Sequence, residues 1–167
     1  VSVKPTQLGL EIDRAGFEER YRALVAAGAD RGIRVWCDME DATATDATID
    51  AFERAAREHP GTAGLCLQAN LRRTPADVDR LAGVPGRIRL VKGAYDEGPA
   101  VAHTEPEAVD EAYLAALERL VERHDGGVAV GSHDPRMIER GRALATETGA
   151  DVEFQLLMGV REPAQRE

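Results

Sequence analysis

Lysine is scarce in this chain: only Lys4 and Lys92 stand among the 21 basic residues of its 167. Each follows a short apolar run. A position that keeps lysine where arginine is the habit needs a compact point charge on a flexible stem, not a planar fork. Other polar residues recur at the same kind of place: Asp38 and Glu40 after the second run, Gln68 ending the third, Arg89 inside the fourth, Ser132 and His133 after the fifth, and Glu153 and Gln155 in the sixth. A charge inside an apolar strand is costly unless it is paired or meets a ligand, which singles out Arg89. On a regular strand Arg89 and Lys92 face opposite sides. Both reach one ligand only if the strand ends near Lys92, and Gly93 permits that turn and a close backbone approach. Asp38 is expected to point into the mouth, while Glu40 and Asp41 read as loop charges. His133, in GSHDP, either helps to cap a helix or meets an anion at its N-terminus. Gln68 needs hydrogen-bond partners, of which a cofactor is one candidate. Cationic groups, amide donors and a helix N-terminus suit a bound anionic cofactor better than hydrolysis. No Ser-His-Asp pairing and no three-ligand metal cluster is visible, so no metal is expected. A Schiff-base role for Lys92 in an aldolase-like barrel is the competing chemistry.

These residues must be positioned by regular elements. The apolar runs are 1–3, 33–38, 63–68, 88–91, 128–131 and 152–157. They show continuous apolarity more than alternation, the pattern of strands buried on both faces of a parallel sheet. Between them lie helical stripes: Phe17, Tyr21, Leu24, Val25 and Gly28; Ile49, Phe52, Ala55 and Ala56; and Val109, Ala112, Tyr113, Ala116, Leu117, Leu120 and Val121. Thr74-Pro75 and Asp134-Pro135 each read as an N-cap followed by proline at the first helical position. About six βα units in regular alternation give a doubly wound sheet or a (β/α)8 barrel. No GxGxxG opens a helix, and the polar residues gather after the strands, so the TIM-type barrel is preferred, in incomplete form.

The formal net charge of −9 and pI near 5.0 set the surface against nucleic acid and anionic lipid headgroups. Cys37 and Cys66 stand singly in apolar runs and read as reduced core thiols of a cytoplasmic protein. No apolar run approaches the roughly 18 residues of a membrane span.

Several stretches together resemble the proline dehydrogenase family: VSVKPTQLG, DMEDATATD, GLCLQANLRRT, IRLVKGAYDEG, AVGSHDP and EFQLLMGV. They occur in family order across nearly the whole chain. The resemblance implies a barrel that binds FAD at the carboxyl ends of its strands. Hydride would pass from L-proline to flavin N5, giving 1-pyrroline-5-carboxylate, and electrons would pass on to a quinone. By the same resemblance Lys4 and Asp38 serve the proline carboxylate and pocket, Arg89 lies against flavin N5, and Gln68 meets the isoalloxazine edge. Lys92, Gly93 and Ala94 lie along the cofactor, with Tyr95 beside the substrate. Ser132 and His133 are similar to phosphate-side contacts, Gln155 to a cofactor contact and Leu157 to a pocket wall. GSH stands where the family commonly has ATH, and QAN where QAY is frequent. The family's first strand and its Arg-Arg-x-x-Glu helix have no counterpart here. The domain, 1–167, is therefore expected to hold strands two to seven of eight, without the first and last βα units. Such a chain alone is expected to bind proline weakly and to self-associate through open strand edges. A quinone acceptor implies transient contact at the inner face of a membrane. A non-catalytic barrel remnant completed by a partner chain is the further alternative.

Overall fold

The computed structural model describes residues 1–160. Six parallel strands stand side by side in chain order: β1 (Ser2–Val3), β2 (Val35–Cys37), β3 (Ala63–Gln68), β4 (Arg87–Val91), β5 (Val128–Val130) and β6 (Val152–Phe154). Each of the six expected strands is present. Helices α1 (Arg14–Ala29), α2 (Thr45–Glu58), α3 (Thr74–Leu81), α4 (Pro106–Arg123) and α5 (Pro135–Thr148) fill the five crossovers. The order is that of a barrel wall, and among the described residues the sheet does not close, because β1 and β6 each have one neighbour.

Side chains alternate across a strand, and the register turns that alternation into two different faces. Cys37, Leu65, Leu67, Ile88, Leu90, Val128 and Val130 form one set, fully buried in the core with Phe17, Tyr21, Phe52, Leu117 and Leu120 from the helices. Burial of each large apolar side chain stabilises by about 1.5–3 kcal/mol. The other face is polar. Cys66, Arg89, Ala129 and Glu153 are aligned partners across four strands, and Trp36, Gly64 and Arg87 across three. The expectation of strands buried on both faces holds for β2, β3 and β5, and the inner face also carries the charges of Arg87, Arg89 and Glu153. Gly64 makes room there for the indole, since a Cβ would lie 2.5 Å from Trp36 Cε3.

Caps agree with the sequence in part. Asp134 accepts from the Arg136 N–H at the start of α5, as expected. Thr74 makes no cap; its hydroxyl donates to the Gln68 carbonyl and ties the start of α3 to the end of β3. Leu24, expected in the α1 stripe, is 39% exposed, while Phe17, Tyr21, Val25 and Gly28 are buried. Outside the sheet, arginine forks join each helix to the next. Arg22 pairs with Glu58 across α1 and α2, Arg80 with Asp50 and Glu53 across α2 and α3, Arg119 with Asp79 across α3 and α4, and Arg140 with Glu118 across α4 and α5. Such a role suits a planar guanidinium, and it accounts for the arginine bias of the surface.

Candidate active site

Parallel strands that end together bring their C-terminal residues to one rim. A cavity of about 700 Å³ opens there, and its lining includes Lys4, Asp38, Gln68, Arg89, Lys92 and Gln155. Gly93, Ala94, Tyr95, Ser132, His133 and Leu157 also border it. These twelve residues expected from the sequence therefore gather at one mouth, while Glu40 and Glu153 do not line it.

Arg89 is the centre of the arrangement, with its side chain 15% exposed. One terminal nitrogen donates to Asp38 Oδ1, and the other donates to Gln155 Oε1 at 3.0 Å. The guanidinium lies 4.8 Å over the Trp36 ring, a cation–π contact that fixes its plane. Lys4 Nζ approaches the other Asp38 oxygen at 3.5 Å. Two cations thus share one carboxylate, and this trio keeps a net positive charge suited to an anionic ligand. Two of the five guanidinium N–H groups of Arg89 are engaged by Asp38 and Gln155, which leaves capacity to donate further.

The strand carrying Arg89 ends at Val91 and the chain turns at Gly93, φ +121°. A Cβ there would lie 2.1 Å from Asn70 Oδ1, a buried oxygen without a hydrogen-bond partner. The glycine is required on both counts. Beyond it, the Ala94 N–H donates to Gln68 Oε1 at 3.2 Å, while Gln68 Nε2 donates to the Glu40 carbonyl at 2.8 Å. The partners of Gln68 thus come from the protein, and its amide braces the loop. Glu97 accepts from the Ala42 N–H at 2.7 Å and holds the same loop over β2. Tyr95 faces the cavity from this loop; desolvation and then the charge of Glu40 push its phenol up, so it stays protonated at neutral pH.

Lys92 is held by Asp134 Oδ2 at 2.8 Å and by Asp110. Desolvation pulls its ammonium down, but the bonds to the two carboxylates prevail and raise its pKa. A Schiff-base lysine must be neutral to attack, so this pairing works against the aldolase-like reading. Asp134 sits well below the usual carboxylate range because of hydrogen bonds from Arg136 and then Lys92. A depressed native value adds stability that is fully present above the unfolded pKa of about 3.9 and is lost as the pH falls below it. Asp134→Asn is therefore expected to lower the urea midpoint at pH 7, with the gap to the parent narrowing as the pH falls from about 5 to 2. A gap independent of pH would refute this role.

The remaining nominated residues stand at the rim. Ser132 Oγ accepts from the Asp134 N–H at 3.1 Å, and His133 Nε2 accepts from the Leu157 N–H at 2.8 Å. Leu157 is 71% exposed. Glu40, read as a loop charge, is instead buried and accepts from the Thr6 N–H and hydroxyl, both at 2.8 Å. Trp36 was not nominated, although its place two residues before Asp38 puts both on one strand face. No group of three metal-ligating side chains occurs among the described residues.

A sequence model of the family described as Proline dehydrogenase matches residues 1–167. Proline dehydrogenase 2 of Bacillus subtilis strain 168 is 38% identical over 171 residues, 99% of this chain and 55% of that protein. Proline dehydrogenase of Deinococcus radiodurans is 33% identical over 180 residues, 100% of this chain and 56% of that protein. The chain thus spans about half the length of the curated relatives it matches. Among solved structures, proline utilization A from Bdellovibrio bacteriovorus, inactivated by N-propargylglycine, superposes with a TM-score of 0.87 and 27% identity, over 98% of this chain and 20% of that one. The strand order, the rim of nominated residues and these matches have one common account: the chain belongs to the proline dehydrogenase family.

Proposed function

We propose that this chain supplies the strand-end residues of an oxidoreductase that converts L-proline to 1-pyrroline-5-carboxylate with FAD. The observation that carries the reading is the Lys4–Asp38–Arg89–Gln155 network at one cavity mouth. The residues fit a flavin in kind. The mouth is cationic and partly apolar, the backbone at Gly93 allows close approach, and Arg89 keeps N–H groups to donate. Bound FAD would supply a hydride acceptor and a route for electrons to a quinone.

The protein's part is then binding, orientation and charge. Lys4 offers a point charge to the substrate carboxylate, and Asp38 holds Lys4 and Arg89 at a fixed separation. Arg89 and Gln155 present donors along the cofactor, and Lys92, Ser132 and His133 border its phosphate side. Gly93 and Ala94 give it a backbone to lie against. Tyr95 and Leu157 limit the pocket around the proline ring. A quinone acceptor implies transient contact with a membrane surface; no described helix is long and apolar enough to cross one.

The test is spectroscopic. The full-length protein is expected to carry a yellow flavin that bleaches on anaerobic addition of L-proline. A folded protein that neither holds FAD nor takes it up would refute the reading.

A further inference from the structure

The inner sheet face holds a polar chain that continues past Arg89 toward the opposite end of the strands. Gln155 Oε1 accepts from Arg89, and Gln155 Nε2 donates to Glu153 Oε1 at 2.7 Å. Glu153 Oε2 in turn faces Arg34 Nη1 at 3.3 Å and Arg87 Nη1 at 3.4 Å. Arg87 is 7% exposed and also pairs with Asp151. Arg34, like Arg89, lies over the Trp36 ring, at 5.9 Å. Glu153 and Gln155 are two residues apart at the end of β6, so the pleat puts them on one face.

A carboxamide can present either its oxygen or its NH2 to a neighbour. Beside Arg89, which only donates, the oxygen is the favourable end. Turning the amide would set two donors against each other at Arg89 and two acceptors against each other at Glu153. The carboxylate, which can only accept, reinforces that orientation from the other end.

We propose that Glu153 is a positioning residue: by accepting from Gln155 Nε2 it fixes the Gln155 oxygen on Arg89, and so sets the guanidinium in the mouth. This rests on the flavin and proline reading for its consequence in turnover, but the positioning itself is a property of the ligand-free chain. An isosteric change makes it testable. In Glu153→Gln, Arg34 and Arg87 draw the new amide oxygen toward themselves and leave an NH2 facing Gln155. Gln155 then either keeps its oxygen on Arg89 and meets an NH2 with its own NH2, or turns and meets Arg89 with NH2. A neutral side chain of the same shape removes the acceptor that completes the chain of donors.

The experiment uses the full-length protein, the variants Glu153→Gln and Glu153→Leu, and the exchange Glu153→Gln/Gln155→Glu. In the exchange, the carboxylate moved to position 155 accepts both from Arg89 and from the amide moved to position 153, whose oxygen stays on Arg34 and Arg87. Trp36 is the only tryptophan of the 167 residues, and its emission, read through variants Trp→Phe at any further tryptophan of the full-length protein, reports Arg89 and Arg34 together without flavin or proline. Arg34 loses its carboxylate in the single variants and the exchange alike, so recovery in the exchange isolates Arg89. Glu153→Gln is expected to shift that emission as much as Glu153→Leu does, with a smaller fall in melting temperature because its amide oxygen still faces Arg34 and Arg87, and the exchange is expected to restore the emission. In turnover, Glu153→Gln should lower kcat for proline with little change in KM. The side chain is 38% exposed, so the loss belongs near the lower end of the roughly 10- to 100-fold range for a hydrogen bond to a charged group. Unchanged emission and kcat in Glu153→Gln would overturn the proposal, as would an exchange variant no better than the single one. If the emission responds as expected but even the parent fails to oxidise proline, the positioning stands and the functional reading falls.

Discussion

Replacing Arg89 by alanine is expected to reduce proline-dependent flavin reduction by about 10²- to 10³-fold in kcat/KM, the range for removal of one preorganised donor from a reacting centre. Three arrangements fail together. Asp38 keeps only Lys4, at 3.5 Å; Gln155 loses the cation that holds its oxygen; and Trp36 loses the group stacked on it. Folding should also suffer, by about 1.5–3 kcal/mol for a lost hydrogen bond to a charged partner. The two effects separate cleanly, because turnover can be measured well below the lowered melting temperature. Arg89→Lys sharpens the test. An ammonium keeps the charge but cannot serve Asp38 and Gln155 in one plane while lying flat on an indole. Lysine should therefore leave activity below a tenth of the parent's, a remaining loss of at least about 1.4 kcal/mol. Full recovery would mean that charge alone matters, and would sink the geometric account.

The second large effect belongs to Gly93→Ala. At φ +121° an alanine is strained by about 1–3 kcal/mol, and its Cβ would lie 2.1 Å from the buried Asn70 oxygen. The loop must move, and it carries Lys92, Ala94 and Tyr95. Flavin affinity is expected to fall by about 10- to 100-fold, in line with that strain, and the same strain should lower the melting temperature by several degrees although the helix-facing core is untouched. Flavin retained after dialysis gives the first measurement, and titration of apoprotein gives the dissociation constant. Adding Asn70→Ala removes the collision but not the backbone strain, so affinity should return in part. A complete return would assign the whole effect to the collision; no return would assign it to the backbone.

The sequence was most legible where a residue type conflicted with its surroundings. Arg89 in an apolar run, lysine in an arginine-rich chain and Asp38 directly after a strand each marked the mouth, and the structure gathers them there. Period-two reasoning, carried one step further, reaches Trp36 through Asp38, and it puts Glu153, named with Gln155 in the sixth run, on the same face. What local pattern could not reveal were partners distant in the chain. Lys92 is joined by Asp110, a residue that reads as part of a solvated helix face, because a crossover folds α4 back across the sheet end. Glu40 looked like a loop charge because Thr6, which satisfies it, lies 34 residues earlier. The polar inner face of β4 was hidden for a related reason: RIRLV alternates, but of its neighbours AGLCLQ is apolar until its last residue and VAV is too short to show two distinct faces.

The scarcity of lysine has a practical consequence. Apart from the amino terminus, a reagent selective for amines finds two targets in these 167 residues, and both border the same cavity. They are not equivalent, since Lys4 is 43% exposed beside one carboxylate and Lys92 is 33% exposed between two. Acylation at limiting reagent would thus label the rim at Lys4 first, and reductive methylation with ¹³C would place two resolved magnetic reporters on opposite sides of the mouth. The arginine belt leaves the rest of the surface silent to such chemistry, so the fold has in effect confined its own tagging handles to the place where a ligand would be seen.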